Sequence, residues 1–460
     1  MSIKKFIIGA LVIGGITLSA YLYYSNTQNN IHSLYPRPEK TFVGDPMPYY
    51  DGKEFKIYYL EDLRDGQIGF HPFSLLTTKD FYHYSEYPNV IPFVNDADSP
   101  ELALGTGSII KVENTYHAFY TGHNGSLTPK ETILHATSQD GIHFDKIPEN
   151  SFVADKDYHA DDFRDPFVFF EEKSGEYWML ITTRKNNQGV IAKYTSKDLI
   201  TWKNDGVLFE NDLGNDSNLE CPSLVYFNGK WILAFSDQWD KRVVHYRLAN
   251  SPDGPFVKPN QDNDYLDGSG FYAGRLVTDG DKLYVVGWIP TKEGHQDRGK
   301  YNWAGNLAVH ELNLDNDQLT VQMAEVAKNH FKTTAIPTEQ LTEGQTLELD
   351  NNKNNIFEGT LHETDNTKLV TVSFSKDNHI VLDFESKYAY YTYRALGVDS
   401  YNNAVNAIPI NRHTDEHKIT IVKENEMVVI YLDGTALSNR MYETEDKIKI
   451  SAYKGDVVFE

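Results

Sequence analysis

The sequence predicts an all-β protein, a five-bladed β-propeller followed by a C-terminal β-sandwich. From residue 41 onward, short apolar and aromatic runs alternate with Gly, Asp and Asn, and long amphipathic helical periodicity is absent. A turn-like motif recurs at intervals of roughly 55 to 60 residues over the first two thirds of the chain. Beyond about residue 325 this repeat stops, and a closely spaced alternation of apolar and polar residues replaces it.

The recurring motif places a Ser or Thr before an Asp and an aromatic residue shortly after it, a pattern typical of a turn between outer strands. Three clear copies and a weaker fourth are Thr77-Thr78-Lys79-Asp80-Phe81, Thr137-Ser138-Gln139-Asp140-Gly141, Thr195-Ser196-Lys197-Asp198-Leu199 and Asn250-Ser251-Pro252-Asp253-Gly254. Each interval is long enough for about four strands, which is one propeller blade. A fifth unit, residues 271–314, lacks a clear copy. We therefore expect five blades within residues 41–325.

Three acids stand beside a proline at the start of apolar, strand-like runs: Gly44-Asp45-Pro46, Arg164-Asp165-Pro166 and Glu220-Cys221-Pro222. Because proline cannot donate to a strand ladder, we expect each proline at the first residue of its strand. The repeat makes these the inner strands of blades one, three and four, with the other inner strands beginning near residues 105 and 273. A single Asp-Pro usually only initiates a turn. Three in register predict three carboxylates that converge at one end of the central channel.

The C-terminal part, residues 340–460, alternates apolar and polar residues, as in 368–374 and 426–434. Turn signals are closely spaced there, so we expect a β-sandwich packed against the propeller.

Charge and composition narrow the class of function. The chain has 66 acidic and 43 basic residues, a formal net charge of −23, which argues against a nucleic-acid partner and suits a neutral substrate such as a sugar. Cys221 is the single cysteine, so no intramolecular disulfide forms, and a small buried hydrophobe is its simplest interpretation. The sequence has no His/Cys cluster with metal spacing and no phosphate-binding Gly loop, so we expect neither metal nor cofactor.

The N-terminus carries Lys4 and Lys5 ahead of the apolar stretch 6–24. A charged segment followed by a hydrophobic one is typical of an export signal, or of an uncleaved membrane anchor when nearly long enough to span. We expect residues 1–25 to fill that role, residues 26–40 to form a polar linker, and the protein to be extracellular, either secreted or tethered to the cell membrane.

These motifs resemble those of glycoside hydrolase family 32, the invertases, levanases and inulinases. Arg164-Asp165-Pro166 is similar to its Arg-Asp-Pro motif, Glu220-Cys221-Pro222 to its Glu-Cys motif, and Tyr120-Thr121-Gly122 to a frequent Tyr-Thr-Gly. Asp45-Pro46 stands where the family has Asn-Asp-Pro-Asn-Gly. The resemblance extends from about residue 41 to the C-terminus, and the pair Arg-Asp-Pro and Glu-Cys-Pro about 55 residues apart is fairly specific.

The sequence departs from the family in elements that line the sugar subsite. Gly44 replaces the Asn before the nucleophile, Met47-Pro48 replaces the Asn-Gly, Phe70-His71-Pro72-Phe73 replaces a Trp-Gly element, and Leu104-Gly105-Thr106-Gly107-Ser108 replaces a Phe-Ser-Gly-like element. We expect these departures to affect which substrate is bound more than the type of reaction.

Several residues are candidates for binding the sugar. The resemblance implies that Gly105 and Thr106 border it, and His71 is a candidate contact, although a His beside Pro is more often structural. Tyr49 and Trp303 are candidate rings for stacking on the sugar, although most aromatic residues are core.

The resemblance also implies a β-fructosidase that cleaves sucrose or fructans by retaining double displacement. Asp45 would be the nucleophile and Glu220 the acid/base, with Leu219 and Cys221 giving Glu220 an apolar setting that keeps it protonated. Asp165 would stabilise the oxocarbenium-like transition state, and Arg164 would keep Asp165 ionised and donate to the sugar.

Two alternatives remain open on sequence grounds. An inverting glycosidase acting on arabinose-containing glycans would keep all three acids, with a wider carboxylate separation. A non-catalytic glycan-binding protein is the second, although it would tolerate loss of the acids. The linkage cleaved, and the balance between hydrolysis and transfer, are not encoded in these motifs.

Overall fold

The computed structural model describes residues 29–64, 71–259, 263–350 and 355–460. Within these ranges nearly all regular structure is β, and no helix there is long and apolar enough to cross a membrane. The predicted export signal or anchor at residues 1–25 lies outside the described residues.

The propeller consists of five antiparallel units in chain order. The first contains β1 (Asn29–His32), β2 (Phe42–Tyr50), β3 (Phe55–Asp62), β4 (Phe73–Thr78) and β5 (His83–Ile91). The second contains β6 (Ala103–Val112), β7 (Thr115–His123), β8 (Glu131–Ser138) and β9 (Asp145–Lys146), and the third β10 (Phe163–Glu171), β11 (Glu176–Lys185), β12 (Gln188–Ser196) and β13 (Lys203–Glu210). The fourth contains β14 (Leu219–Phe227), β15 (Lys230–Asp237) and β16 (Val244–Ala249), and the fifth β17 (Tyr272–Thr278), β18 (Leu283–Lys292), β19 (Tyr301–Asp315) and β20 (Gln318–Met323). Short 3₁₀ turns occupy Pro148–Asn150 and Glu293–His295.

One strand from each of the five units forms the inner wall of the propeller. Strands β2, β6, β10, β14 and β17 contact one another in a closed ring. A single backbone pair, Gly305 of β19 with Val43 of β2, joins the fifth unit to the first. The predicted five-bladed propeller is therefore confirmed.

The repeated turns share one hydrogen-bonding scheme. In the second blade the Ser138 hydroxyl accepts the amides of Asp140 and Gly141, while the Asp140 carboxylate accepts those of Ile142 and His143. The copies at residues 78–83 and 196–201 repeat all four bonds. The weaker copy at 251–254 retains one, from the Asp253 amide to the Ser251 hydroxyl. These Ser/Thr and Asp side chains satisfy turn amides that would otherwise lack a partner.

All five inner strands carry a β-bulge at the same level. The register shifts fall at 44–47, 105–107, 164–167, 220–223 and 272–275. The prolines at 46, 166 and 222 lie inside these strands at the bulges, so their predicted position at the first residue is wrong. A bulge takes residues out of the ladder, so no amide is needed there.

After the propeller the chain forms α1 (Glu325–Lys328) and β21 (Thr333–Ala335), then two facing sheets. One sheet joins β21 to β22 (Glu339–Leu341), β24 (Asn355–Glu363), β29 (Glu416–Glu424), β30 (Met427–Leu432), β31 (Thr435–Arg440) and β33 (Val457–Phe459). The other contains β23 (Thr346–Asp350), β25 (Leu369–Ser373), β26 (His379–Asp383), β27 (Tyr388–Thr392), β28 (Asn406–Pro409) and β32 (Lys447–Lys454). Their alternate apolar side chains fill one core between the sheets, which is the predicted sandwich.

The described part of the segment expected to be a linker, residues 29–40, is instead ordered against both domains. Strand β1 pairs with β5 at the edge of blade one, and Leu34 and Tyr35 are buried. Glu424 of the sandwich accepts hydrogen bonds from the Ser33 hydroxyl and from the amides of Leu34 and Tyr35. The polar composition of residues 29–40 suggested a linker, but the carboxylate of Glu424, distant in sequence, accepts hydrogen bonds from backbone amides of this segment.

Candidate active site

A cleft of about 450 Å³ opens at one end of the central channel, on the side where the inner strands begin. The bulges place the three predicted acids in its wall, because the bulges lie at the same level around the ring of inner strands. Its lining comprises Asp45, Gly105, Thr106, Arg164, Asp165, Glu220, Cys221, Gln238, Trp239, Arg242, Tyr272 and Trp303. Of the predicted site residues, all but Tyr49 and His71 line this cleft.

Asp45 occupies the bulge of β2 with a left-handed φ of 39°. Its Oδ2 accepts a hydrogen bond from Thr106 Oγ1 at 2.9 Å, and its Oδ1 accepts one from Trp288 Nε1 at 3.1 Å. Desolvation raises the pKa of Asp45 and the charge of Glu220 adds to that rise, while the two hydrogen bonds oppose it. The carboxylate is thus held in one orientation and still faces the cleft.

Asp165 occupies the bulge of β10 and is buried. Its Oδ2 accepts the Cys221 amide at 2.9 Å, and its own amide donates to Thr121 Oγ1 at 3.0 Å. Desolvation raises the pKa of Asp165, and the charge of Arg164 only partly offsets that rise. Burial therefore opposes ionisation of Asp165, whereas the Arg164 guanidinium favours it, which is the direction expected for that residue.

Arg164 instead pairs directly with Glu220. Its Nη2 lies 2.9 Å from Glu220 Oε1, and its Nη1 lies 3.0 Å from Asp162 Oδ1 and 3.6 Å from Glu131 Oε2. Three acids share this one guanidinium, so its fork is directed at protein carboxylates.

Glu220 lies in a polar setting rather than the apolar one expected. Its Oε1 accepts from Arg164, and its Oε2 accepts the Tyr272 hydroxyl at 2.6 Å. Leu219 and Cys221 are buried, but the hydrogen-bond partners of the Glu220 carboxylate come from other strands, β10 and β17. The residues next to Glu220 in sequence therefore did not indicate the polar groups that surround its carboxylate.

Trp303 borders the cleft and explains the glycine at position 44. A Cβ on Gly44 would lie 2.5 Å from two carbons of the Trp303 indole, so a side chain there requires the ring to move. The His71 ring lies 4.4 Å from the Trp303 ring, and Arg64 Nη2 donates to the Trp303 carbonyl at 2.8 Å. His71 thus supports Trp303 from outside the cleft lining, which is the structural alternative considered for it.

Tyr49 lies away from the acids, so its predicted role in this cleft is not supported by its position. It borders a separate cavity of about 630 Å³, which the distal halves of the inner strands line. Tyr49 lies four residues after Asp45 in β2, which places it about 13 Å farther along the channel. Buried Arg275 contributes to that second cavity and donates to the carbonyls of Gly107 and Asp165 at 2.7 and 3.1 Å.

Sequence reasoning missed Trp288, Tyr272, Gln238 and Arg242. Tyr272 directly precedes Ala273, where the fifth inner strand was expected, so matching the strand registers would have identified it. Trp288 lies in β18, and no sequence motif singles it out. Gln238 and Arg242 follow β15 in a loop that carries no motif.

Comparison with known proteins agrees with this architecture. The model of the glycosyl hydrolases family 32 N-terminal domain matches residues 36–323. The sucrose-6-phosphate hydrolase of Vibrio alginolyticus is 26% identical over 373 residues, 72% of this chain and 74% of that protein. The Escherichia coli protein of the same name is 26% identical over 262 residues, which is 53% of this chain but only 54% of the relative.

Solved structures show the same fold over nearly the whole chain. An exo-inulinase from Aspergillus awamori superposes with a TM-score of 0.74 at 17% identity, over 93% of this chain and 97% of that one. The sucrose-6-phosphate hydrolase of Lactobacillus gasseri gives a TM-score of 0.73 at 19% identity, over 94% and 92%. With the matched domain covering more than half of its length, the chain belongs to glycosyl hydrolase family 32.

Proposed function

We propose that this protein is a retaining β-fructosidase that releases fructose from sucrose or fructans. The observation that carries the proposal is the convergence of Asp45, Asp165 and Glu220 in one cleft, with a separate set of hydrogen-bond donors fixing each carboxylate. Family membership supports the reaction class, and the relatives' names, sucrose-6-phosphate hydrolase and the fructan 6-exohydrolase of Beta vulgaris, support the fructosyl group.

In the first step, an Asp45 oxygen attacks the anomeric carbon of the fructosyl ring, and the bond to the leaving oxygen breaks as Glu220 donates a proton to it. In the second step, Glu220 takes a proton from water, the water oxygen attacks the same carbon, and the ester to Asp45 breaks. The two inversions retain configuration and return both carboxyl groups to their starting states.

The surrounding residues position these groups. Arg164 and Tyr272 each hold one oxygen of Glu220, which fixes the carboxyl plane for proton transfer. The hydrogen bonds from Thr106 and Trp288 fix Asp45. Asp165 is buried in the wall of the same cleft, and in its ionised form it stabilises the ring as that ring becomes oxocarbenium-like.

The charges favour a neutral fructoside. Three acids line the cleft, the guanidinium of Arg164 is already shared among carboxylates, and the whole chain carries a formal charge of −23. A phosphorylated sugar would add a dianion to this field. Arg242, whose guanidinium lies 4.6 Å over the Tyr272 ring at the cleft, is the cation best placed to reduce that repulsion.

The test is to supply purified protein with sucrose, inulin, levan, sucrose 6-phosphate and an aryl arabinofuranoside, and to identify the products. The proposal expects fructose from the neutral fructosides, at a higher kcat/KM than from sucrose 6-phosphate, and retained configuration by NMR. Release of arabinose with inversion, and no fructose from any substrate, would favour the arabinan alternative instead.

We also propose that the enzyme works outside the cytoplasm, on the strength of Lys4, Lys5 and the apolar stretch 6–24. This location fits unphosphorylated sugars as substrates. Fractionation of the source cells is expected to find activity outside or on the outer face of the membrane, and full-length protein confined to the cytosol would refute it.

A further inference from the structure

A second group of functional side chains lies on the outer edge of blade one, away from the cleft. Asp80 Oδ2 is 2.8 Å from His83 Nδ1 and 3.0 Å from His330 Nε2, and the three ligand atoms lie within 4.8 Å of one another. Asp80 and His83 belong to the turn between β4 and β5, whereas His330 follows α1 in the connection to the sandwich. Residues far apart in sequence therefore converge on one carboxylate oxygen.

The group is held in place before any ligand binds. Asp80 Oδ1 accepts the amides of Tyr82 and His83 at 3.1 and 2.8 Å, which fixes the carboxylate and directs Oδ2 to the two rings. The His330 ring stacks on Tyr82 with centroids 5.0 Å apart, and it meets the His83 ring edge-on at 4.7 Å.

The second blade provides an internal comparison. Its turn contains the same pair, with His143 Nδ1 2.7 Å from Asp140 Oδ2. In the described part of the chain no third His, Cys or carboxylate completes that pair into a metal-sized group. The turn alone explains an Asp–His pair, but it does not explain His330.

We propose that Asp80, His83 and His330 bind a zinc ion that ties the edge of blade one to the segment leading into the sandwich. Two imidazole nitrogens and one carboxylate oxygen are a ligand set that zinc favours, with water completing a tetrahedron. Lengthening the two contacts of Asp80 Oδ2, now 2.8 and 3.0 Å, by a few tenths of an ångström gives the separations of about 3.3 Å that bonds of about 2.0–2.1 Å to one ion require. The metal replaces the hydrogen bonds to Asp80 Oδ2.

The test is calorimetric titration of tag-free, EDTA-treated full-length protein with ZnCl₂, together with thermal unfolding with and without zinc. We expect one zinc per chain and a rise in Tm, since a ligand that binds only the folded state stabilises it. His330→Phe keeps the ring that stacks on Tyr82 but lacks the ligand atom. We expect it to match the wild-type Tm without zinc, to bind at least about 10-fold more weakly and to lose the zinc-induced shift.

His143→Ala is the matched control, and we expect it to bind zinc as the wild type does. The proposal is overturned if the wild type binds no zinc, if His330→Phe binds it equally well, or if His143→Ala loses binding to the same extent. Fructosidase activity without zinc is expected to be the same in all three proteins, so this result is independent of the reaction proposed for the cleft.

Discussion

Burial and hydrogen bonding act on the Asp45 carboxylate in opposite directions. Desolvation raises its pKa, and the bonds from Thr106 and Trp288 restrain the rise by stabilising the charged form. A nucleophile must be ionised in the free enzyme, so this balance sets the acid limb of the kcat/KM profile.

Thr106→Val removes one of those two bonds while keeping the shape of the side chain. The pKa of Asp45 is expected to rise further, so the acid limb of kcat/KM moves to higher pH, with about 10-fold or smaller loss at the optimum. The pH profile of sucrose hydrolysis measures this. Thr106→Ser, which restores the hydroxyl, is expected to return the limb to its wild-type position, and an unmoved limb in Thr106→Val would show that this bond does not tune Asp45.

Trp303 fills the space that a side chain at position 44 would need, since a Cβ there would lie 2.5 Å from the indole. Gly44→Asn is expected to displace Trp303 and lower kcat/KM for fructosides by about 10-fold or more, because small misplacements at a reacting centre are costly. The double variant Gly44→Asn/Trp303→Ala is expected to recover part of that loss. Steady-state kinetics of Gly44→Asn, Trp303→Ala and the double variant test this, and additive losses would mean that the two positions do not compete for space.

At the scale of the strand, the bulge is the feature that assembles the site. Gly107 shows how tightly the second blade is built around it, since a Cβ there would lie 2.1 Å from the Phe119 carbonyl oxygen and 2.7 Å from the Tyr120 Cα. Both are backbone atoms of β7, which cannot move without disturbing the ladder.

Gly107→Ala is therefore expected to lower the free energy of unfolding by about 3 kcal/mol. Gly125→Ala is the control, because nothing lies within 4 Å of a Cβ there, and its stability is expected to stay within about 0.5 kcal/mol of wild type. Denaturant unfolding of both variants measures the difference. Equal stability of the two would argue against a tightly packed inner wall.

The order of the strands and the choice of the three acids followed from local patterns. The Ser/Thr–Asp turns mark the outer loops of four of the five blades, and an acid beside proline marks three inner strands. Each of these motifs is recognisable within a few consecutive residues. The partners of those acids cannot be read this way, because Trp288 reaches Asp45 across 243 residues and Tyr272 reaches Glu220 across 52. Tyr49 was assigned to the cleft because it is close to Asp45 in sequence. In the structure it lies farther along the same strand, away from the cleft.

At the scale of the whole molecule, the two domains share buried structure. Residues of the sandwich such as Val429 and Tyr431 belong to the same apolar core as blades one, four and five. Buried Asp267 accepts hydrogen bonds from His310 of the propeller and from the Ser438 amide and hydroxyl of the sandwich. The sequence predicted both domains and that they pack together, but not which residues form the interface, because its polar residues carry no motif.

A shared core predicts that propeller and sandwich unfold in one cooperative transition. Asp267→Ala leaves His310 and Ser438 without their buried partner, so it is expected to cost about 3–5 kcal/mol. Asp365→Ala, at an exposed position on the sandwich, is the control and is expected to change stability by less than about 0.5 kcal/mol. Calorimetry measures both, and two separate transitions in the wild type would contradict a common folding unit.

The central claim is the division of labour between Asp45 and Glu220, and trapping the covalent intermediate tests it most directly. Glu220→Gln removes the proton donor, so natural fructosides are expected to lose about 10²–10⁴-fold in rate, while an aryl fructoside with an activated leaving group loses less in the first step. Its fructosyl-enzyme then accumulates because the base for water attack is missing. Burst kinetics with mass spectrometry is expected to show one fructosyl adduct on Asp45. Equal losses for both substrates with no adduct would contradict the account and favour an inverting enzyme.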